Sequence, residues 1–108
     1  MSHAFVRSDL FGGTGEVHIT DLLRGVARPP FTAALACSLA PSGHVGAHRQ
    51  ENCPEIVIGL DGEGQATVDG VPQPLGAGEL VYLPLGSVLT ITNHRDDAPL
   101  RYLIVKAR

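Results

Sequence analysis

Long apolar runs are absent from this chain. None approaches the ~18 residues that a membrane-spanning helix needs. Residues 1–9 hold no apolar signal core, so the expectation is a cytoplasmic protein with no membrane partner. Basic residues are scarce: Lys and Arg total eight, scattered along a chain of net charge −3. Nucleic-acid binding needs a concentrated basic face and is excluded on that ground. Cysteine is scarce too. Cys37 and Cys53 form no zinc-ligand spacing and no disulfide framework, and both are expected as free thiols. Cys37, inside the apolar run 32–40, reads as a small buried hydrophobe. Cys53 falls in a loop beside the candidate site, its role open. No internal repeat, low-complexity tract or linker interrupts the 108 residues, enough for one domain with one core.

Turn formers are abundant. Thirteen Gly and eight Pro punctuate short runs of Val, Leu and Ile, the pattern of an all-β fold. Strands are expected at 31–39, 44–50, 55–60, 65–68, 71–75, 80–83, 88–92 and 100–105. Breaks fall at Pro41-Ser42-Gly43, Asp61-Gly62, Asp69-Gly70, Gly76-Ala77-Gly78 and Pro84-Leu85-Gly86. Residues 16–23 fit a first strand or a short helix from Asp21, ended by Arg28-Pro29-Pro30, since proline denies a ladder donor. Residues 1–14 are mixed, with Gly12-Gly13-Thr14-Gly15 as a flexible break. Short strands at near-regular spacing give a sandwich or barrel. Several are apolar on both faces, as at Ile56-Val57-Ile58 and Leu103-Ile104-Val105, where a sheet with one wet face alternates. A homodimer is the expected cover for the surplus face.

The polar residues of interest gather at one place. His48, Gln50 and Glu55 stand just ahead of the 55–60 strand, and Asp61-Gly62 turns the chain after it. This spacing resembles that of the small single-domain cupins of the conserved-barrel type. Glu55 and Gly62 match the Glu-x6-Gly half of the first cupin motif, with His48 and Gln50 at its two His positions. Gly78, Pro84, Gly86 and Asn93 match the second motif, and Leu89 stands where the family has its last His. The motifs cover residues 41–93, and the strand pattern extends the likeness to 32–107. The resemblance implies an all-β fold, an antiparallel jelly-roll barrel with a ligand pocket inside. It implies one cupin domain over residues 1–108, with 1–31 as N-terminal arm and first strand and 32–107 as the core barrel. It does not imply one activity, because the fold hosts many.

In the family, the two His, the Glu and the last His bind one metal. Here Gln50 offers only a neutral amide oxygen and Leu89 offers nothing. A triad of two His and one carboxylate, the holder of non-haem Fe(II), cannot be built from these positions. The expected cofactor is none, or a divalent transition metal held weakly by His48, Gln50 and Glu55. His44 shares strand parity with His48, but four residues of strand span ~13 Å, too far for one ion unless a bulge at Gly46 shortens it. His94 reads as solvated, His18 as a surface residue and His3 as part of the tail.

Two functional classes follow. The first is a small-molecule-binding cupin of unknown specificity with a degraded metal site, its small organic ligand held by Gln50, Tyr82 and Leu89. The second is a small cupin enzyme, a metal-assisted or acid/base isomerase, cyclase or dioxygenase-like protein, with His48 and Glu55 catalytic. A regulator ranks below both, because no DNA-binding segment accompanies the barrel. His48 and Glu55 are expected in one cavity on neighbouring strands, touching directly or through one water, with the carboxylate raising the imidazole pKa. The bland alternative is a hydrogen-bonded pair left over from a lost metal site. Arg49 is expected outward and solvated, Tyr82 either hydroxyl-inward or a wall aromatic, and Leu89 an apolar wall that suits a partly hydrophobic ligand.

Overall fold

A computed structural model describes residues 3–108; Met1 and Ser2, which the expected domain includes, lie outside the described residues. The strands are β1 Ala4–Ser8, β2 Glu16–Asp21, β3 Phe31–Leu39, β4 His44–Arg49 and β5 Glu55–Asp61. They continue as β6 Gly64–Val68, β7 Val71–Pro74, β8 Leu80–Leu83, β9 Val88–Asn93 and β10 Leu100–Ala107. The helical content among the described residues is a single 3-10 turn, Leu10–Gly12. Residues 16–21 form a strand and not a helix: Val17 and Ile19 alternate inward, a period of two that a helix cannot bury. β1 corrects the reading of residues 1–14. Each of its residues pairs with β2, but all five are exposed, so the segment lacks the buried alternation by which a strand is recognised.

Two antiparallel sheets face one another in jelly-roll fashion. One has the order β1-β2-β3-β10-β5-β8 and the other β4-β9-β6-β7. Their ladders stay separate and do not close into a continuous ring. The core between them takes Val17, Cys37, Leu39 and Tyr102 from the first sheet and Val45, Ala66, Leu89 and Ile91 from the second. The outer face of the larger sheet is also apolar. Ile56, Ile58, Leu103 and Val105 are half-buried there, and Leu80 and Tyr82 are exposed.

Two local devices position the site. The first is a bulge in β4. Val45 pairs with Ile91 and His48 with Leu89, so three steps on β4 oppose two on β9. The extra residue resets the parity. Val45 and His48 both face inward, and His44 is turned out to bond Thr92 Oγ1 through Nδ1 at 2.8 Å. The expected shared facing of His44 and His48 is therefore corrected. Gly46 is at the bulge because the 3-10 turn crosses it. A Cβ there would overlap the Phe11 carbonyl oxygen and lie 3.0 Å from Gly13 N.

The second device ties the two motif regions together. Gln50 N donates to Ser87 O at 2.8 Å, and Gly86 N donates to Gln50 O at 2.7 Å. Arg49 is exposed, as expected, but it is not merely solvated: its Nη1 donates to Gly86 O at 2.6 Å. Asn93 is buried and donates from Nδ2 to the carbonyls of Leu39, Ala40 and Ala98 while its Oδ1 accepts from Arg95 N. Its work is to tie the end of β3 and the loop after β9 together through their carbonyls.

The crossing at Gly46 gives a direct expectation. Gly46→Ala forces the 3-10 turn outward and lowers stability by ~1–3 kcal/mol, the range of an overpacked contact. Equilibrium urea unfolding of parent and variant measures it, and a change under a few tenths of a kcal/mol would show that the crossing is loose.

Candidate functional site

A cavity of about 240 Å³ lies between the sheets. It is smaller than the ~300 Å³ at which drug-sized pockets begin. Its inner wall is apolar: Leu35, Cys37, Val45, Leu89, Ile91 and Tyr102. Its other end is polar and holds His48, Gln50, Glu55 and Lys106. Phe5, Arg7, Leu10 and Phe11, from β1 and the 3-10 turn, close the side toward the N-terminal arm. A second, polar recess adjoins the polar end and is lined by His48, Arg49, Gln50, Glu51, Asn52, Cys53 and Lys106. His48, Gln50 and Lys106 are therefore common to the cavity and the recess.

His48 and Glu55 line the same cavity but belong to opposite sheets, β4 and β5, not to neighbouring strands. Each has a different partner from the one expected. The imidazole of His48 stacks on Phe11, ring centroids 4.1 Å apart and planes 10° from parallel. Phe11 holds φ at +54°, a left-handed conformation that an aromatic residue rarely adopts, and the glycine crossing at Gly46 keeps it there. Glu55, only 4% exposed, pairs across the ladder with Lys106. Its Oε2 is 3.7 Å from Lys106 Nζ, an ion pair too long for a hydrogen bond.

The electrostatics follow from this pairing. Burial lowers the pKa of His48, the Lys106 charge lowers it further, and Glu51 opposes both. The expected rise, from a carboxylate in contact, is thus reversed, first by burial and then by the Lys106 charge. Burial raises the pKa of Glu55, and Lys106 restrains the rise. Cys37 is pushed up to about 12 by burial, with Glu55 adding to it. Burial likewise raises Tyr102. The inner wall is therefore neutral, and the charged groups of the lining are Glu55 and Lys106 at one end and Arg7 on the side toward the N-terminal arm.

Two buried polar atoms there have no hydrogen-bond partner, Gln50 Nε2 and Glu55 Oε2. Buried polar groups are otherwise almost always satisfied. Gln50 is 3% exposed, and its free atom is a donor, which cannot ligate a metal. Leu89, paired with His48 across the ladder, supplies no ligand at the family's last His position. Lys106 already sets a positive charge against Glu55. The described residues include no group of three or more His, Cys, Asp or Glu placed to hold a metal ion. This donor set does not fit the four-ligand metal site of the cupin family.

Tyr82 is corrected outright. Its neighbours Val81 and Leu83 on β8 are buried, and Tyr82 is 59% exposed on the opposite face. It borders a shallow apolar hollow with Phe31, Pro54 and Val105, so alternation carries its hydroxyl away from the cavity. His94 and His18 are exposed, and His18 pairs with Glu16 at 3.5 Å. Cys53 Sγ lies 3.4 Å from Thr32 Oγ1 at the rim of the polar recess. Sequence reasoning missed Lys106, Phe11, Cys37 and Tyr102 as cavity residues. Lys106 carried one usable signal: with Tyr102 and Ile104 it forms the i, i+2, i+4 set of β10.

Comparisons with known proteins agree with this fold. A family profile described as "Cupin domain" matches residues 36–106. The dimethylsulfoniopropionate lyase DddW of Ruegeria pomeroyi is 35% identical over 79 residues, 69% of this chain and 52% of that protein. The matched stretch thus spans about half the length of that relative. The crystal structure of a predicted oxalate decarboxylase of Thermotoga maritima superposes with a TM-score of 0.86 at 26% identity, covering 98% of this chain and 92% of that one. A Cupin 2 conserved barrel domain protein of Salinispora arenicola superposes with a TM-score of 0.71 at 28% identity, covering 85% of this chain and 76% of that one.

The coupling between Lys106 and His48 can be read directly. In an NMR titration the His48 ring midpoint is expected below the ordinary 6.5. In Lys106→Met the midpoint moves upward, because the nearby positive charge that opposed protonation is gone. A midpoint unmoved by Lys106→Met would place that charge too far away to act.

Proposed function

The chain belongs to the cupin domain family, and within it we propose a small-molecule-binding barrel that works without a resident metal. The observation that carries this reading is a buried donor without a hydrogen-bond partner, Gln50 Nε2, beside a buried carboxylate oxygen, Glu55 Oε2, whose one contact is the long ion pair with Lys106, at the polar end of an otherwise apolar cavity. A bound molecule with an acceptor for Gln50 and a polar group for Glu55 would satisfy both. Its apolar body would lie along Leu89, Ile91 and Tyr102, each buried CH₂ contributing ~0.8 kcal/mol. Cavity size limits the ligand to less than a drug-sized molecule. The protein is proposed to act in the cytoplasm, where Cys37 and Cys53 remain free thiols.

Gln50→Leu and Glu55→Leu test it. Gln50→Leu removes an unsatisfied buried donor, so stability stays level or rises; Glu55→Leu also takes away the partner of Lys106, so its stability falls modestly, limited by the partial exposure of that lysine. Each also removes one anchor, so binding of small polar molecules drops by roughly tenfold, the scale of one buried hydrogen bond. Ligand-observed NMR on a fragment set, run beside thermal unfolding, reads both. Variants that melt early and bind like the parent would identify these residues as structural only.

An enzymatic reading is second, favoured by the opposed shifts of His48 and Glu55. A neutral imidazole is a ready base, and a carboxyl with a raised pKa is a ready acid. The lyase activity in the name of the Ruegeria relative belongs to this reading.

The apolar outer face of the larger sheet is proposed as a homodimer interface, since exposed apolar patches of this kind are usually covered. Light scattering should give twice the chain mass for the parent and the chain mass for Leu80→Asp with Tyr82→Asp. A monomeric parent at high micromolar concentration would rule the dimer out.

A further inference from the structure

We propose that Lys106 is the specificity-determining residue of this cavity, an internal cation that selects a small monoanion, a carboxylate with a short apolar tail. The inference rests on the cavity-binding reading above and assigns its ligand class.

Three observations converge on Lys106. It lies at the boundary between the apolar cavity and the polar recess, lining both. Its side chain is 31% exposed, whereas that of Glu55 is 2% exposed. Its side chain is therefore partly open and is not sealed against its partner. At 3.7 Å from Glu55 Oε2, it makes no hydrogen bond to that atom and keeps N–H donors to offer.

The charge balance points the same way. The charged side chains lining the cavity are Arg7, Glu55 and Lys106. With His48 neutral, the lining carries two cations to one carboxylate, the surplus resting on Arg7 of β1, so the cavity as a whole favours an anion. Gln50 Nε2, a donor at the Lys106 end, is complementary to a carboxylate oxygen. The inner wall offers neither a cation nor a free donor, so only a molecule with its charge at one end fits. The wet recess behind Lys106 reduces the desolvation cost that a carboxylate would meet deeper in the cavity. In metal-binding cupins the metal is the cation of the pocket. Here a side-chain ammonium stands beside the motif glutamate.

The test uses the full chain in chelator, with sodium hexanoate, hexan-1-ol and hexylamine as probes, followed by amide shifts of Leu89, Ile91 and Tyr102. Hexanoate should bind roughly tenfold or more tighter than hexanol, the scale of one charge-assisted hydrogen bond. Lys106→Met should erase that preference, with hexanol still shifting the same amides and the dispersion of the amide spectrum showing that the variant is folded. Lys106→Arg should keep it. Hexanol binding as well as hexanoate, a preference for hexylamine, or a preference that survives Lys106→Met would each overturn the role of Lys106 and leave the cavity reading standing. If no probe shifts those amides, both readings fall together.

Discussion

The contact on which the site depends is the passage of the Phe11–Gly13 backbone over Gly46. Neither Gly13 nor Gly46 leaves room for a Cβ. The crossing sits at the one-residue bulge that reverses the facing of β4 between His44 and His48. It also sets the Phe11 ring on the imidazole of His48. Without the bulge, His44 and His48 would share a face, and Val45 and His48 could not both line the cavity. One local irregularity thus decides which histidine belongs to the site and what covers it.

The remaining polar groups are held from two directions. Backbone bonds between Gln50 and the Gly86–Ser87 turn hold the end of β4 against the start of β9, so Gln50 keeps its inward aim without a partner for its side-chain nitrogen. From the other sheet, ladder register places Glu55 opposite Lys106. Residues distant in the chain come to share one end of a small cavity, each held by backbone pairing that does not depend on its side chain. Substitution of these side chains is accordingly a question about chemistry first and stability second.

The character of the site differs from the family pattern in a consistent way. Loss of imidazoles at positions 50 and 89 removes metal donors, and Lys106 adds a fixed positive charge next to the remaining carboxylate. That charge helps keep His48 neutral and restrains the upward drift of Glu55. The apolar wall at Leu89 and the ammonium at Lys106 together give the cavity a polarity along its length.

Strand positions were legible in the sequence because Gly, Pro and Asp-Gly turns bound short apolar runs, and a strand needs little beyond local pattern and a buried face. The spacing around Glu55, Gly62, Pro84 and Gly86 likewise marked the fold and the place of the site, since turn residues act through backbone conformations that the chain dictates locally. β1 was not legible, because its residues are paired yet exposed. The facing of His44, the outward turn of Tyr82, the stacking of Phe11 and the pairing of Glu55 with Lys106 were decided by tertiary structure alone. Parity is counted from a register, and a single bulge resets it. Which charge lies nearest a buried group depends on strands far apart in sequence, and Lys106 reaches Glu55 only because β10 runs beside β5.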